Sequence, residues 1–178
     1  SRIVQLNDGN LVVSWHDAVA PGVTVQARLL AANGTLLTGE FDLSDPSVST
    51  SQARHDIAAL DDGGFVAAWR DGGSPYNLAY SRSFDANGTN RGAQRIAGIS
   101  EPEPNSLVRV VALEGGGHGV FWAAQDLFSG TGSIVGALFG RATAQHDLLV
   151  METPGNLEAL AGNDTIIAGA DGRCLINT

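Results

Sequence analysis

Apolar positions along the chain come in short blocks, and Gly, Asn, Asp or Pro closes each block. The first stretch sets the pattern: IVQL (3–6), NDG, LVVSW (11–15), the loop HDAVAPG, VTVQARLL (23–30), AANGT and LLTGEFDL (36–43). Blocks rich in Val, Ile, Leu and Phe that alternate with polar positions are strand signals. No window shows the helical period, and 23 glycines would weaken any helix. The elements predicted are therefore strands joined by tight turns. Residues 60–69, LDDGGFVAAW, put two acidic residues and two glycines inside an apolar run. Asp-Gly and Asn-Gly between apolar runs favour hairpins, because these residues tolerate the positive φ of primed turns. Asp61, Asp62, Gly63 and Gly64 are predicted to form a turn rather than a metal or catalytic loop.

The pattern repeats. LNDGNLVVSW (6–15), LDDGGFVAAW (60–69) and LEGGGHGVFW (113–122) place their leucines 54 and 53 residues apart. Each ends in one of the three tryptophans of the chain, Trp15, Trp69 and Trp122. VQARLLAANGT (25–35) likewise matches YSRSFDANGT (80–89), with Arg28 equivalent to Arg82, and IVGALFGRAT (134–143) fills the slot with Ala137. A self-similar period of about 50 residues marks a repeat architecture. Each unit reads as four antiparallel strands, with the tryptophan at the end of the second packing one unit onto the next. The predicted fold is all-β and β-propeller-like: about three four-stranded antiparallel blades (units 1–50, 51–103 and 104–153) plus a degenerate C-terminal fourth unit, 154–178.

The pattern L-x-D-G-G-F-V-x-x-W, followed by an A-x-R-F-D-A-x-G-T hairpin and a G-x-E-F-x-L strand, resembles repeats of large secreted bacterial proteins. These are the RTX, or hemolysin-type calcium-binding, proteins and adhesins. The resemblance covers about residues 1–143. It implies β-propeller-like modules, a secreted, extracellular location and Ca²⁺ as a ligand. The tail ALAGNDTIIAGADGRCLI (159–176) resembles the RTX nonapeptide G-G-x-G-x-D-x-U-x, with Gly162, Asp164 and Ile166 on pattern and Leu175 in the next apolar place. The resemblance makes Asn163 and Asp164 the candidate Ca²⁺ ligands. Ala159 and Leu160 replace the leading glycines, and Asp171 and Arg173 stand where glycine and the ligand aspartate belong. A calcium roll needs successive turns that each supply oxygens. LAGNDTIIAGADG (160–172) also aligns on LDDGGFVAAWRDG (60–72). Two readings of the tail therefore stand side by side, a calcium site and a degenerate repeat or sheet filler.

Composition narrows the function classes. The chain has 178 residues, enough for one domain with a core, and 43% are apolar. Ten basic residues against 19 acidic ones give a net charge of −9, which argues against nucleic acid or an anionic membrane as partner. The one candidate basic cluster, Arg91 and Arg95, is sparse. No apolar run reaches the roughly 20 residues needed to insert as a membrane helix. The single cysteine, Cys174, cannot close an internal disulfide. The chain opens mid-pattern at SRIVQL without an initiator Met or a signal peptide, as a mature product or a fragment of a longer propeller would.

Candidate chemistry is sparse. His16-Asp17, His55-Asp56 and His146-Asp147 are His-Asp dipeptides at different phases of the repeat, and read as coincidental histidines at strand ends. HExxH, GxSxG and P-loop patterns are absent from the sequence. The sialidase-type Asp box fails, because Trp69 follows Gly64 by five residues. Sequons at Asn33 and Asn87 coincide with the predicted hairpin turns, and a third lies at Asn163. The variable segments 16–24, 70–78 and 123–133 fill one slot of the repeat. They carry Asp17, Asp71, Tyr76, Asp126 and Phe128, the candidate ligand-binding residues of the rim loops. The favoured function is a non-catalytic module that recognises glycan or protein through these loops. The alternative is a polysaccharide-acting hydrolase using rim Asp and His residues. Because three units do not close a ring, the chain is expected either to be a fragment of a longer propeller or to form a homodimer that completes one.

Overall fold

The computed structural model describes residues 1–18, 22–45, 52–72, 77–100, 107–114, 117–125, 132–140, 148–151, 156–158, 165–168 and 175–177. Strands β1 (Arg2–Gln5), β2 (Leu11–Asp17), β3 (Thr24–Leu30) and β4 (Phe41–Asp42) make a first antiparallel sheet in that order. Strands β5 (Gln52–Ala59), β6 (Phe65–Asp71), β7 (Asn77–Phe84) and β8 (Arg95–Ser100) repeat it. The third sheet is β9 (Val108–Ala112), β10 (His118–Gln125) and β11 (Gly132–Phe139), three strands among the described residues rather than the expected four. The described residues contain no helix, and no sheet closes on itself.

The turns show why Asx-Gly recurs. Leu6, Ala31, Leu60 and Asp85 each accept a backbone hydrogen bond from the glycine three residues on, at 2.8–3.0 Å. Within these turns only the glycines adopt left-handed φ, +85 to +88°. Each is therefore a type I turn followed by a left-handed glycine, not the expected primed turn, which needs positive φ earlier in the loop. The Asx residue before the glycine has a separate task. Asp8, Asn33, Asp62 and Asn87 each accept the backbone N–H two residues on, at 2.9–3.0 Å. The amides of Asn33 and Asn87 thus serve their turns, and Asn163 lies outside the described residues.

The sheets stack face to face. Successive side chains of a strand point to opposite faces. Val12, Val25, Ala27 and Leu29 of the first sheet pack on Ile57, Phe65, Ala67, Trp69, Tyr80 and Phe84 of the second. The opposite face of the second, Val66, Ala68 and Ala79, packs on Val108, Val110, Val120, Trp122 and Ala137 of the third. Trp69 is fully buried and Trp122 nearly so. Their indole N–H groups have no hydrogen-bond partner among the described residues, so their contribution is apolar packing. Trp15 differs. It occupies the same register in the first sheet but is only half-buried, because no described sheet lies against its face. The expectation that all three rings join neighbouring units holds for two of them.

Asp56 fastens the first strands together. Its Oδ1 accepts from Arg2 Nε of β1 at 3.1 Å, and its Oδ2 accepts from the backbone N–H of Val110 in β9 at 3.3 Å. One carboxylate thus touches all three sheets. Asp56→Ala removes a part-buried, charge-assisted pair and orphans an amide, and is expected to cost about 2 kcal/mol in urea unfolding. An unchanged midpoint would show that the link is incidental.

The tail departs from expectation. A degenerate fourth antiparallel unit was predicted over 154–178. Instead β12 (Leu148–Met151) pairs in parallel with β14 (Thr165–Ala168), and β13 (Asn156–Glu158) pairs in parallel with β15 (Leu175–Asn177). Leu148 faces Thr165 and Asn156 faces Leu175 in these registers. The alignment on LDDGGFVAAWRDG misled because a hairpin needs a return strand beside it. Here each strand pairs in parallel with the next but one, which no hairpin does.

Candidate functional site

The two ends of the sheet stack are built differently. The tight turns at 6–10, 31–35, 60–64 and 85–89 lie at the end where β1 stops and β2 starts, as does the hydrogen bond from Leu113 N–H to the Gly117 carbonyl. The connections after β2, β6 and β10 all leave from the opposite end, as do those from β4 to β5 and from β8 to β9. Antiparallel alternation enforces this: the end of each second strand and the start of each first strand share one end of the sheet.

That end gathers polar groups at the junction of the first two sheets. Ser14 Oγ lies 2.9 Å from His55 Nε2, and His55 Nδ1 lies 3.1 Å from His16 Nε2. The imidazoles meet edge to face, with centroids 4.5 Å apart and planes at 87°. Arg2 is hydrogen-bonded to Asp56, the next residue after His55. Arg54, in the bulge between Ala53 and Asp56, has a φ of 56°, the only positive φ of a non-glycine among the described residues. A left-handed, non-glycine backbone costs about 1–2 kcal/mol and persists only where its surroundings enforce it.

Both histidines titrate below their ordinary range. Burial, then neighbouring His16, the amino terminus and Arg2, push His55 down to about 3. Partial desolvation, then the amino terminus, Arg2 and Arg54, lower His16. At neutral pH the pair is uncharged, so one ring can donate and the other accept along a single chain from Ser14 to the exposed His16. A second buried pair, His118 and Ser81 at 3.3 Å, sits between the second and third sheets. Burial, then Arg95, hold His118 down to about 4.

A hydroxyl–imidazole–imidazole chain has the wiring of an activated serine. Ser14, however, is completely buried beside Val12, on the face that packs against the second sheet. No substrate carbonyl can reach its Oγ. The chain is a satisfied polar seam between two sheets, with only His16 at the surface.

The rim candidates fare unevenly. Asp17 ends β2, half-buried, opposite Thr24. Asp71 ends β6 opposite Leu78 and Gln52 but is buried rather than solvated. Burial, then the Asp71 carboxylate, raises the Tyr80 hydroxyl above its ordinary value. Tyr76, Asp126 and Phe128 lie outside the described residues, as do Asn163, Asp164 and His146. Among the described residues no three His, Cys, Asp or Glu side chains converge to hold a metal. Reading the histidines as coincidental strand-end residues missed the His16–His55 contact. The two differ in repeat phase, and only the shared end of β2 and β5 brings them together. No known family, curated protein or solved structure matches the chain.

Proposed function

We propose that the chain is a non-catalytic binding module of a secreted bacterial protein, a propeller-like stack that takes a glycan or protein ligand at the end opposite its tight turns. The carrying observation is the asymmetry of the stack. One end is built from near-identical tight turns, while connections of dissimilar sequence, five to nine residues between strands, collect at the other, as in scaffolds that vary a binding surface on a rigid frame. Asp17, Arg54 and His16 border that end with mixed donors and acceptors, the set that hydroxyl groups require. The burial of Ser14 speaks against acyl transfer there. A glycan microarray tests the reading. Retention of a defined glycan subset, lost in Asp17→Ala with the melting curve unchanged, is the expected result. Turnover of chromogenic glycosides at that end would instead establish the hydrolase.

The parallel pairing of the tail supports the calcium reading over the filler reading. The pairs β12/β14 and β13/β15 return every 17 and 19 residues, close to two nonapeptides per turn. Asn163 and Asp164 would contribute the oxygens of that coil, and Ca²⁺ would cross-link its successive turns. Because Arg173 takes the place of the next ligand, binding is expected to be weak. Calorimetric titration should give a dissociation constant of about 10⁻⁴–10⁻³ M, lost in Asp164→Ala. Heat indistinguishable from dilution would return the tail to a filler.

A further inference from the structure

We propose that the tryptophan face of the first sheet is a protein–protein interface, occupied by a second copy of this chain packed face to face about a two-fold axis. The argument runs through the internal repeat. Cross-strand partners share a face, so the registers align Ile3, Val13, Leu11, Trp15 and Leu30 with Ile57, Ala67, Phe65, Trp69 and Phe84. In the second sheet these positions are core, covered by the first sheet, and Ile57 is 8% exposed. In the first sheet the same positions have no described cover. Ile3 is 66% exposed, and Leu11, Val13, Trp15 and Leu30 are half-buried. Among the described residues, one more copy of the internal interface is present than is filled.

Composition strengthens the match. Leu36 bridges Leu30 and so joins this face, 56% exposed. Its counterpart in the second unit, Asn90 opposite Phe84, is polar. The open face is therefore more apolar at its margin than the copy already covered. On this face Arg28 is paired with Glu40 at 2.8 Å, and the Asp42 carboxylate, on edge strand β4, accepts from the Gln26 amide at 3.3 Å, so the charges lie paired or at the margin of the apolar strip. A contiguous apolar strip of this kind marks an association surface.

The choice of a symmetric partner follows from the other end of the stack. The residue before each tryptophan faces the next sheet. Ser14 and Ala68 are small and accept the following tryptophan face. The third sheet has Phe121 there, and its ring lies over Gly119 and Gly136, where a Cβ would strike it. That face cannot receive Trp15 as the first sheet receives Trp69. Head-to-tail stacking is thereby disfavoured, and pairing of two identical faces closes the assembly at two.

Sedimentation equilibrium across a concentration series tests this, together with tryptophan fluorescence on dilution. Trp69 and Trp122 are buried within the chain, so only Trp15 should shift to the red as the dimer separates. The expected result is a dimer that Ile3→Arg or Leu36→Glu converts to monomer with at least a tenfold weaker association, the variant melting where the wild type melts once diluted to monomer. Ile134→Arg, on the exposed outer face of the third sheet, is expected to leave it intact. Three results would overturn the proposal: a monomer at every concentration, a dimer insensitive to Ile3→Arg, or dissociation by Ile134→Arg instead, which would mean head-to-tail contact.

Discussion

Trp69→Ala is expected to lower the free energy of unfolding by about 3–5 kcal/mol, the range for removing a large buried ring. Folded domains hold roughly 5–15 kcal/mol in total, so this variant should be unfolded or close to it. The ring fills the space between the first two sheets and stacks on Tyr80, with centroids 6.1 Å apart. Trp15→Ala changes the same residue type at the same repeat position. Made in an Ile3→Arg background, where the open face stays open, it should cost about 1–2 kcal/mol, in line with its smaller burial. Urea unfolding of the two variants, followed by circular dichroism, gives the comparison. Equal losses would mean that the repeat position, not the covering sheet, sets the energy, and the stacking account would fail.

Acidification is the second large effect. In the folded chain His55 is pushed down to about 3 and His118 to about 4, against 6.5 for the free side chain. The unfolded chain therefore binds protons below pH 6.5 that the folded chain refuses. Stability is full above that pH and declines as the pH falls toward 4 for His118 and 3 for His55. Each histidine contributes a slope of at most about 1.4 kcal/mol per pH unit. The groups facing His55 are His16, Arg2 and the amino terminus, with Asp56 beside it on β5. All but the aspartate oppose a new positive charge. The unfolding free energy should thus fall by several kcal/mol between pH 7 and pH 4. His55→Gln keeps a partner for Ser14 but does not titrate, and should remove about half of the slope. Parallel pH profiles for the wild type and His55→Gln would show that acid acts elsewhere.

Much of the fold was legible because its signals are local. Val-rich alternation marks strands, and Asx-Gly marks turns whose geometry depends on a few neighbouring residues. The detail that failed, the turn type, failed for a local reason too: Asp and Asn serve as acceptors for a backbone N–H, and only glycine needs the left-handed conformation. The site was less legible. Strand order alone put Asp17 and Asp71 at the ends of β2 and β6, yet whether a strand-end carboxylate is solvated or buried depends on the sheet packed against it. The His16–His55 contact had no sequence signal, because the two residues come from different units and different strands.

By itself the sequence determined the repeat, the strands, the turns and the end of the stack at which the variable connections emerge, since these follow from side-chain period and backbone preference within a few residues. Only the tertiary structure decided which tryptophans are covered, that Ser14, His55 and His16 form one chain, that Asp56 ties three sheets, and that the tail strands pair in parallel. Those outcomes depend on which strand lies beside or against which, and that is settled by burial of whole sheet faces rather than by any local pattern.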